Sequence, residues 1–427
     1  MNLLLQSSIV NRQSAISITG SKSETNRLLL LQALYPNLTL ENTSNSDDSE
    51  VMTKALNSQF TSSSAQFAAG SGHSSQLIDI HHAGTAMRFL TAYFAIQEGK
   101  EVVLTGSSRM RERPIKILVE ALGQLGADIT YEENEGFPPL KIIGKKLTQN
   151  EVTLAANVSS QYISALLLIA PKLVNGLELT LEGQITSVPY INMTLSLLNE
   201  IGVETSFIGN KIKIKSLSLI HHPLSLTVES DWSSASYFYS IIALSPIGTN
   251  ITLLSYKSSS LQGDAALAKI YQNFGVETVF KDNAILLQKT DNSSLTIHNL
   301  ELNDSPDIAQ TIAVTCFGLG VGCHLTGLHT LKIKETDRLL ALKNELEKLG
   351  AKVSITDDSL TLESSNPNFV IVKEVAIKTY QDHRMAMAFA PLALKNDIII
   401  EEAEVVSKSY PAFWQDLKSI GFSIKEV

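Results

Sequence analysis

Five stretches of this 427-residue chain share one pattern, an amphipathic run that ends in glycine and passes into an alternating strand. They read A-L-G-Q-L-G-A-D-I, L-L-N-E-I-G-V-E-T, I-Y-Q-N-F-G-V-E-T, E-L-E-K-L-G-A-K-V and D-L-K-S-I-G-F-S-I. Their glycines are Gly126, Gly202, Gly275, Gly350 and Gly421, spaced by 76, 73, 75 and 71 residues. A weaker copy, V-M-T-K-A-L-N-S-Q-F, covers Val51–Phe60. A fixed period constrains the fold more than any local propensity does, because one repeat cannot bury its apolar face without its neighbours. The glycines are expected to be left-handed helix caps, and the alternation after each is expected to be a half-buried strand. Six copies fill the chain, and its length suits two cores of about 200 residues each.

A second series runs at a similar period. Six apolar helices are expected to open at S-E-T-N-R-L-L-L-L, G-T-A-M-R-F-L, S-S-Q-Y-I-S-A-L-L-L, D-W-S-S-A-S-Y-F, S-P-D-I-A-Q-T-I-A and Q-D-H-R-M-A-M-A. Each begins with small, hydroxyl or acidic capping residues and then turns too apolar for a surface helix. Each repeat thus supplies one central helix, one outer helix and several strands. Three repeats would close one domain and gather its buried helix N-termini at one end. Such termini offer unpaired N–H groups and partial positive charge, so together they suit anions. The plain alternative is that each terminus is merely capped.

Hydrophobic residues make up 44% and charged residues 18% of the chain, which is ordinary for a folded globular protein. The formal charge of −9 argues against a surface that seeks nucleic acid or anionic lipid, so any anion site must be local. Cys316 and Cys323 lie in an apolar run without metal-site spacing and read as reduced core thiols of a cytoplasmic protein. The start, M-N-L-L-L-Q-S-S, has no secretory pattern. Thr311 to Leu328, with four glycines and a histidine, suits a helix–turn–strand passage better than a membrane span.

The residues riding on the helix starts carry the chemistry. Lys22, Ser23 and Arg27 combine a compact cation, a hydroxyl and a fork-shaped cation, a set that can hold phosphate or carboxylate. Gly84, Thr85 and Arg88 open the second helix, and Gly84 lets a ligand approach the backbone. R-M-R-E-R-P adds Arg109, Arg111 and Arg113; S-S-Q adds Ser159, Ser160 and Gln161; T-S-V-P-Y adds Ser187 and Tyr190. Asp307 falls in a first helical turn, where the dipole keeps it ionised and able to accept a proton. His383 and Arg384 sit in another, and Lys408 just before the last helix. Read as a helix, I-K-E-T-D-R places Lys334 and Arg338 on one face, with Glu335 close enough to touch Arg338. Cations, hydroxyls and two carboxylates suit joining two anionic small molecules with proton transfer. A metal cluster, a nucleophile elbow and a Walker-type loop are all lacking.

The combination G-S-K-S-x-x-N-R, A-G-T-A-M-R, R-M-x-E-R-P-I, S-S-Q, K-E-T-D-R, D-H-R-M-A-M and S-K-S-Y-P, from Gly20 to about Pro411, resembles the 5-enolpyruvylshikimate-3-phosphate synthase family. The resemblance implies an α/β fold, a two-domain inside-out α/β barrel of the enolpyruvyl-transferase type. It has six βαβαββ repeats, three per domain, with helices inside and sheets outside. One domain would comprise 1–19 plus 230–427 and the other 20–229, with the active site in the cleft between them. The implied activity moves the enolpyruvyl group of phosphoenolpyruvate to the 5-hydroxyl of shikimate 3-phosphate, releasing phosphate through a tetrahedral intermediate. Shikimate 3-phosphate would meet Lys22, Ser23 and Arg27, then Ser159, Ser160 and Ser187 at its phosphate, Gln161 and Tyr190 at its ring, and Asp307 and Lys334 near its hydroxyls. Phosphoenolpyruvate would meet Lys22, Gly84, Thr85, Arg109, Gln161, Arg338, Arg384 and Lys408. Asp307 would take the 5-hydroxyl proton, while Glu335 and Lys22 handle protons at the enol carbon and bridging oxygen. The resemblance implies no cofactor, no metal, no nucleic-acid or membrane partner, and a monomer.

The chain departs from the family pattern at His82 (commonly Asn), Phe89 (often Pro) and Thr330 (often Asn). The phosphoenolpyruvate-side backbone is therefore expected to sit differently, which bears on inhibition by glyphosate. The Ser/Gly-rich stretch 61–76 reads as a flexible loop of the first repeat, with no assigned role. Two rival readings stand beside this one: the related transferase that acts on UDP-N-acetylglucosamine with a loop cysteine, and a non-catalytic anion- or nucleic-acid-binding repeat protein.

Overall fold

The computed structural model describes residues 1–7, 15–57, 75–155, 159–183, 185, 188–293, 298–364 and 375–427. Ser187, most of the 61–76 stretch and the end of the weak Val51–Phe60 copy lie outside the described residues. The chain divides into two compact units, Met1–Gly20 with Glu229–Val427, and Ser21–Val228.

All six expected central helices form, as Lys22–Leu34, Gly84–Ala95, Ser160–Ile169, Trp232–Leu244, Ala309–Leu319 and His383–Phe389. Every residue of Trp232–Leu244 except Ser233 is buried, so this helix has no solvent face. Its Asp231 cap accepts the Ser234 amide at 2.8 Å, which satisfies one of the otherwise orphaned first-turn donors. Serine and threonine let it pack closely on Ala309–Leu319, and they satisfy one another. Ser236 shares a bond with Thr311 at 3.0 Å, and Thr315 donates to Ser240 at 2.8 Å. Within each unit the three central helices pack on one another and form its apolar core.

The sheets lie outside those helices, and their strands alternate buried and exposed residues, as in Glu151–Ala155. Five four-stranded sheets share one topology. Gln76–Asp79 pairs parallel with Glu101–Thr105, which pairs antiparallel with Leu140–Ile143, itself antiparallel to Asp128–Tyr131. Three sheets belong to each unit. The sixth has two described strands, Leu38–Glu41 and Leu224–Thr227. The sheets are separate, and no closed barrel of strands forms among the described residues. Each unit is completed by strands distant in sequence. Leu3–Ser7 inserts between Ile398–Ile400 and Phe422–Glu426, and Ala15–Ile16 joins Asn250–Leu254.

All five repeat glycines have positive φ, between 72° and 109°. Four follow outer helices, as expected. Gly275 differs, because the strand already begins at Phe274 and its register shifts between Phe274 and Val276. There the left-handed residue makes a bulge instead of a cap. Thr311 to Leu328 is a helix–turn–strand passage, turning at the left-handed Gly320. Among the described residues no helix is long and apolar enough to cross a membrane.

Candidate active site

The unit that contains Glu229–Val427 brings a dense charged cluster together. Asp307 stands in a short 3-10 turn, Pro306–Ile308, that leads into Ala309–Leu319. Its Oδ1 accepts from Arg338 Nη1 at 2.9 Å and faces Lys334 Nζ at 3.5 Å, while its Oδ2 accepts from Arg384 Nη2 at 3.1 Å. Burial opposes the charge of Asp307, but Arg384, Lys334 and Arg338 outweigh it and hold the carboxyl far below the usual range. Asp307 is therefore ionised as expected, yet it is a poor proton acceptor while three cations face it.

Arg338 is only 2% exposed and spends each of its nitrogens on a carboxylate. Nε donates to Asp382 Oδ2 at 2.6 Å, Nη1 to Asp307, and Nη2 to Glu335 Oε2 at 2.6 Å. Burial disfavours its charge, and Asp382, Glu335 and Asp307 together reverse that and raise its pKa above the ordinary value. The segment that supplies these groups is not the helical turn expected. A 3-10 turn ends at Ile333, and the helix begins only at Arg338, capped by Asp337, whose side chain accepts the Leu340 amide. Residues 334–336 are irregular because Asp337 offers the helix start a better cap. The Glu335–Arg338 contact survives this change.

Two neighbouring features aim the remaining cations. Tyr380 and Gln381 hold left-handed φ values of 53° and 56° just before the Asp382 cap. Lys408 Nζ donates to the Gln381 carbonyl at 2.7 Å. Thr330, where the family pattern often has Asn, leaves its buried hydroxyl without a hydrogen bond among the described residues.

The Ser21–Val228 unit carries guanidinium groups of a different kind. Arg27 donates to three neutral acceptors, Thr194 Oγ1 at 2.8 Å, the Ser23 carbonyl at 2.7 Å and Ser164 Oγ at 2.9 Å. Burial lowers its pKa to about 10. Phe89, one of the departures from the family pattern, lies under that guanidinium at 5.5 Å and Tyr190 at 5.9 Å, so Phe89 serves as a stacking surface. Arg88 donates to the Gly84 and Pro114 carbonyls, and its Nε has no partner among the described residues. Burial, then the charge of Arg113, lowers its pKa to about 10.

A methyl group placed on Gly84 would lie 2.5 Å from Arg113 Nη1, so only glycine lets that guanidinium rest against the backbone. Among the described residues no carboxylate pairs with Arg88 or Arg113. Arg109, the arginine of this segment expected at the ligand, instead pairs with Glu112 at 2.9 Å with half its side chain in water. Sequence reading could not rank three arginines in six residues; the glycine beneath Arg113 is the signal that does.

Other expected residues of this unit are held by contacts of their own. Gln161 Nε2 donates to Thr85 Oγ1 at 3.1 Å, and Ser159 caps the helix that begins at Ser160. Lys22 pairs with Asp48 at 3.2 Å, a partner the sequence did not suggest. His82 Nδ1 contacts Ser107 Oγ at 2.9 Å, tying this departure from the family pattern to the arginine segment.

Residues 8–417 match the family model for EPSP synthase (3-phosphoshikimate 1-carboxyvinyltransferase). A 3-phosphoshikimate 1-carboxyvinyltransferase of Bacteroides fragilis (strain YCH46) is 46% identical, over 97% of this chain and 96% of the relative. One of Haemophilus influenzae (strain Rd) is 35% identical over 96% of both. In fold, the chain is similar to a solved EPSP synthase structure from Acinetobacter baumannii, with a TM-score of 0.79 over the whole of both chains at 19% identity. A repeat architecture with helices inside and sheets outside, its charged groups at the starts of buried helices, thus coincides with near full-length likeness, and the chain belongs to the EPSP synthase family.

Proposed function

We propose that the protein transfers the enolpyruvyl group of phosphoenolpyruvate to the 5-hydroxyl of shikimate 3-phosphate with release of phosphate. The observation that carries this reading is the cluster around Arg338, in which three carboxylates share three cations. Cations alone would only hold an anion. Carboxylates interleaved with them can also move protons, and this reaction needs one added to and one removed from the same carbon.

Phosphoenolpyruvate is held by Arg113 over Gly84, with Lys22, Thr85 and Gln161, and by Arg338, Arg384 and Lys408. Arg113 replaces Arg109 because it is the arginine that stands on Gly84 and, among the described residues, has no carboxylate partner. Shikimate 3-phosphate meets Ser23, Arg27, Ser159, Ser160, Ser187, Gln161 and Tyr190 on one unit, and Asp307 and Lys334 on the other. The reaction needs both sets.

The three cations facing Asp307 also set the order of events. An arriving anion competes for Lys334, Arg338 and Arg384, which releases Asp307 from them and raises its pKa toward that of a useful base. Glu335, in contact with the Arg338 guanidinium, gives a proton to the methylene carbon and takes one back. The protein acts as a cytoplasmic monomer. The test is release of inorganic phosphate from phosphoenolpyruvate by the purified protein, expected only when shikimate 3-phosphate is present. Phosphate release without it, or none with it, overturns the reading.

A further inference from the structure

Behind Arg384 lies a carboxyl group that the proposed reaction does not use. Asp264, in the short turn Gly263–Ala266, is only 3% exposed. Its Oδ2 is in very short contact with Ser233 Oγ, and its Oδ1 is buried without a hydrogen-bond partner among the described residues. Ser233 is the one residue of the Trp232–Leu244 helix that is not buried. Its hydroxyl oxygen accepts from Arg384 Nη2 at 3.3 Å, the same nitrogen that donates to Asp307 Oδ2 at 3.1 Å. The buried Nε of Arg384 has no partner among the described residues. A continuous path, Asp264–Ser233–Arg384–Asp307, therefore ends on the cation and carboxylate already assigned to the reaction.

A hydroxyl has one proton to give, and the state of Asp264 decides where it goes. When Asp264 is ionised, Ser233 must donate to it, and Ser233 can then only accept on its other side. When Asp264 is protonated, the acid donates to Ser233 Oγ and the serine proton becomes free for another acceptor. The charged groups acting on Asp264 are Asp307 and Asp231, which disfavour its ionisation, and Arg384, which favours it. Burial comes first among these influences, and together they push the carboxyl up to about 7. An anion that drew Arg384 toward itself would add negative charge and weaken the one favourable partner. Both changes move Asp264 toward its neutral form.

We propose that Asp264 is a positioning residue that acts through Ser233, taking up a proton as anionic substrate binds and so turning the Ser233 hydroxyl into a donor for the anion held by Arg384. The inference rests on the reading of phosphoenolpyruvate as that anion. No bond other than this O–H is made or broken, and the proton comes from solvent.

Asp264→Asn tests it, because the asparagine amide donates to Ser233 as the neutral acid does but cannot ionise. With shikimate 3-phosphate saturating, the wild-type KM for phosphoenolpyruvate should rise about tenfold as pH is raised from 7 to 8.5, as required of a binding step linked to one proton. The Asp264→Asn enzyme should hold its KM to within about twofold over that range. Ser233→Ala should lose both the low KM at pH 6.5 and the slope. The wild type should also show an infrared carbonyl band of a protonated carboxyl that fades through about pH 7 and is missing from Asp264→Asn. Equal slopes in wild type and Asp264→Asn, or no such band, overturn the proposal. If the chain turns over no substrate, the functional reading falls separately. Proton uptake on adding phosphoenolpyruvate, measured by calorimetry in two buffers, then supports this inference if it is present in wild type and missing in Asp264→Asn, and overturns it otherwise.

Discussion

Replacing Arg338 by methionine keeps an unbranched apolar stem and removes the charged guanidinium, leaving Asp307, Glu335 and Asp382 without their shared partner. Adding the three charged hydrogen bonds at about 1.5 to 3 kcal/mol each overstates the loss, because carboxylates deprived of a cation can take up protons. Removing one member of a buried ion pair costs about 3 to 5 kcal/mol, and that is the expected loss at pH 7. For a unit of this size it corresponds to a fall in Tm of about 10 °C. In the wild type Asp307 is held below the usual carboxylate range, so its contribution is complete above the unfolded pKa of about 3.9 and is lost as pH falls. In the variant the opposite holds for Asp382. It is fully buried, burial already raises its pKa above the unfolded value, and losing the guanidinium at 2.6 Å, which pulls the other way, raises it further. Its penalty is small at acid pH and grows as pH rises through the raised pKa. Calorimetric unfolding at pH 5, 6, 7 and 8 should therefore show the gap between wild type and Arg338→Met widening with pH. A loss under about 1 kcal/mol at pH 7, or a gap that narrows as pH rises, would refute the picture of one buried guanidinium holding three carboxylates.

Glu335→Gln keeps the contact with Arg338 but cannot cycle a proton, so kcat should fall by roughly 100-fold with shikimate 3-phosphate affinity nearly unchanged; near-normal phosphate release would exclude Glu335 from proton transfer. Gly84→Ala puts a methyl group 2.5 Å from Arg113 Nη1, the far end of a flexible side chain that can retreat. Tm should hardly move while KM for phosphoenolpyruvate rises and that for shikimate 3-phosphate does not; parallel rises in both would point to misfolding. Arg113→Met should raise KM for phosphoenolpyruvate by about tenfold or more, whereas Arg109→Met, which breaks only a surface pair, should stay within about twofold; the reverse ranking would restore Arg109 to the site.

Much of this was legible in the one-dimensional pattern. The repeating glycines and the six over-apolar runs depend on local rules, helix capping, left-handed φ and the period of burial, and these act over a few residues wherever the chain goes. Gly126, Gly202, Gly350 and Gly421 therefore cap as read, and the six central helices form at the apolar runs, three of them capped by the side chains of Ser159, Asp231 and Asp382. What local rules could not decide is competition. Asp337 outbids the preceding residues for the start of its helix, so the segment read as one charged turn splits at Arg338. Choosing Arg113 over Arg109 needed the distance to Gly84, and the pairing of Lys22 with Asp48 joins residues far apart in sequence. The strand from Leu3 to Ser7 completes a sheet whose other members lie near the opposite end of the chain. Most of all, whether Asp307 is a base or the anionic centre of three cations depends on charges brought from residues 334, 338 and 384. Electrostatic energy falls with distance through space and takes no account of separation along the chain, so only the tertiary structure could decide it.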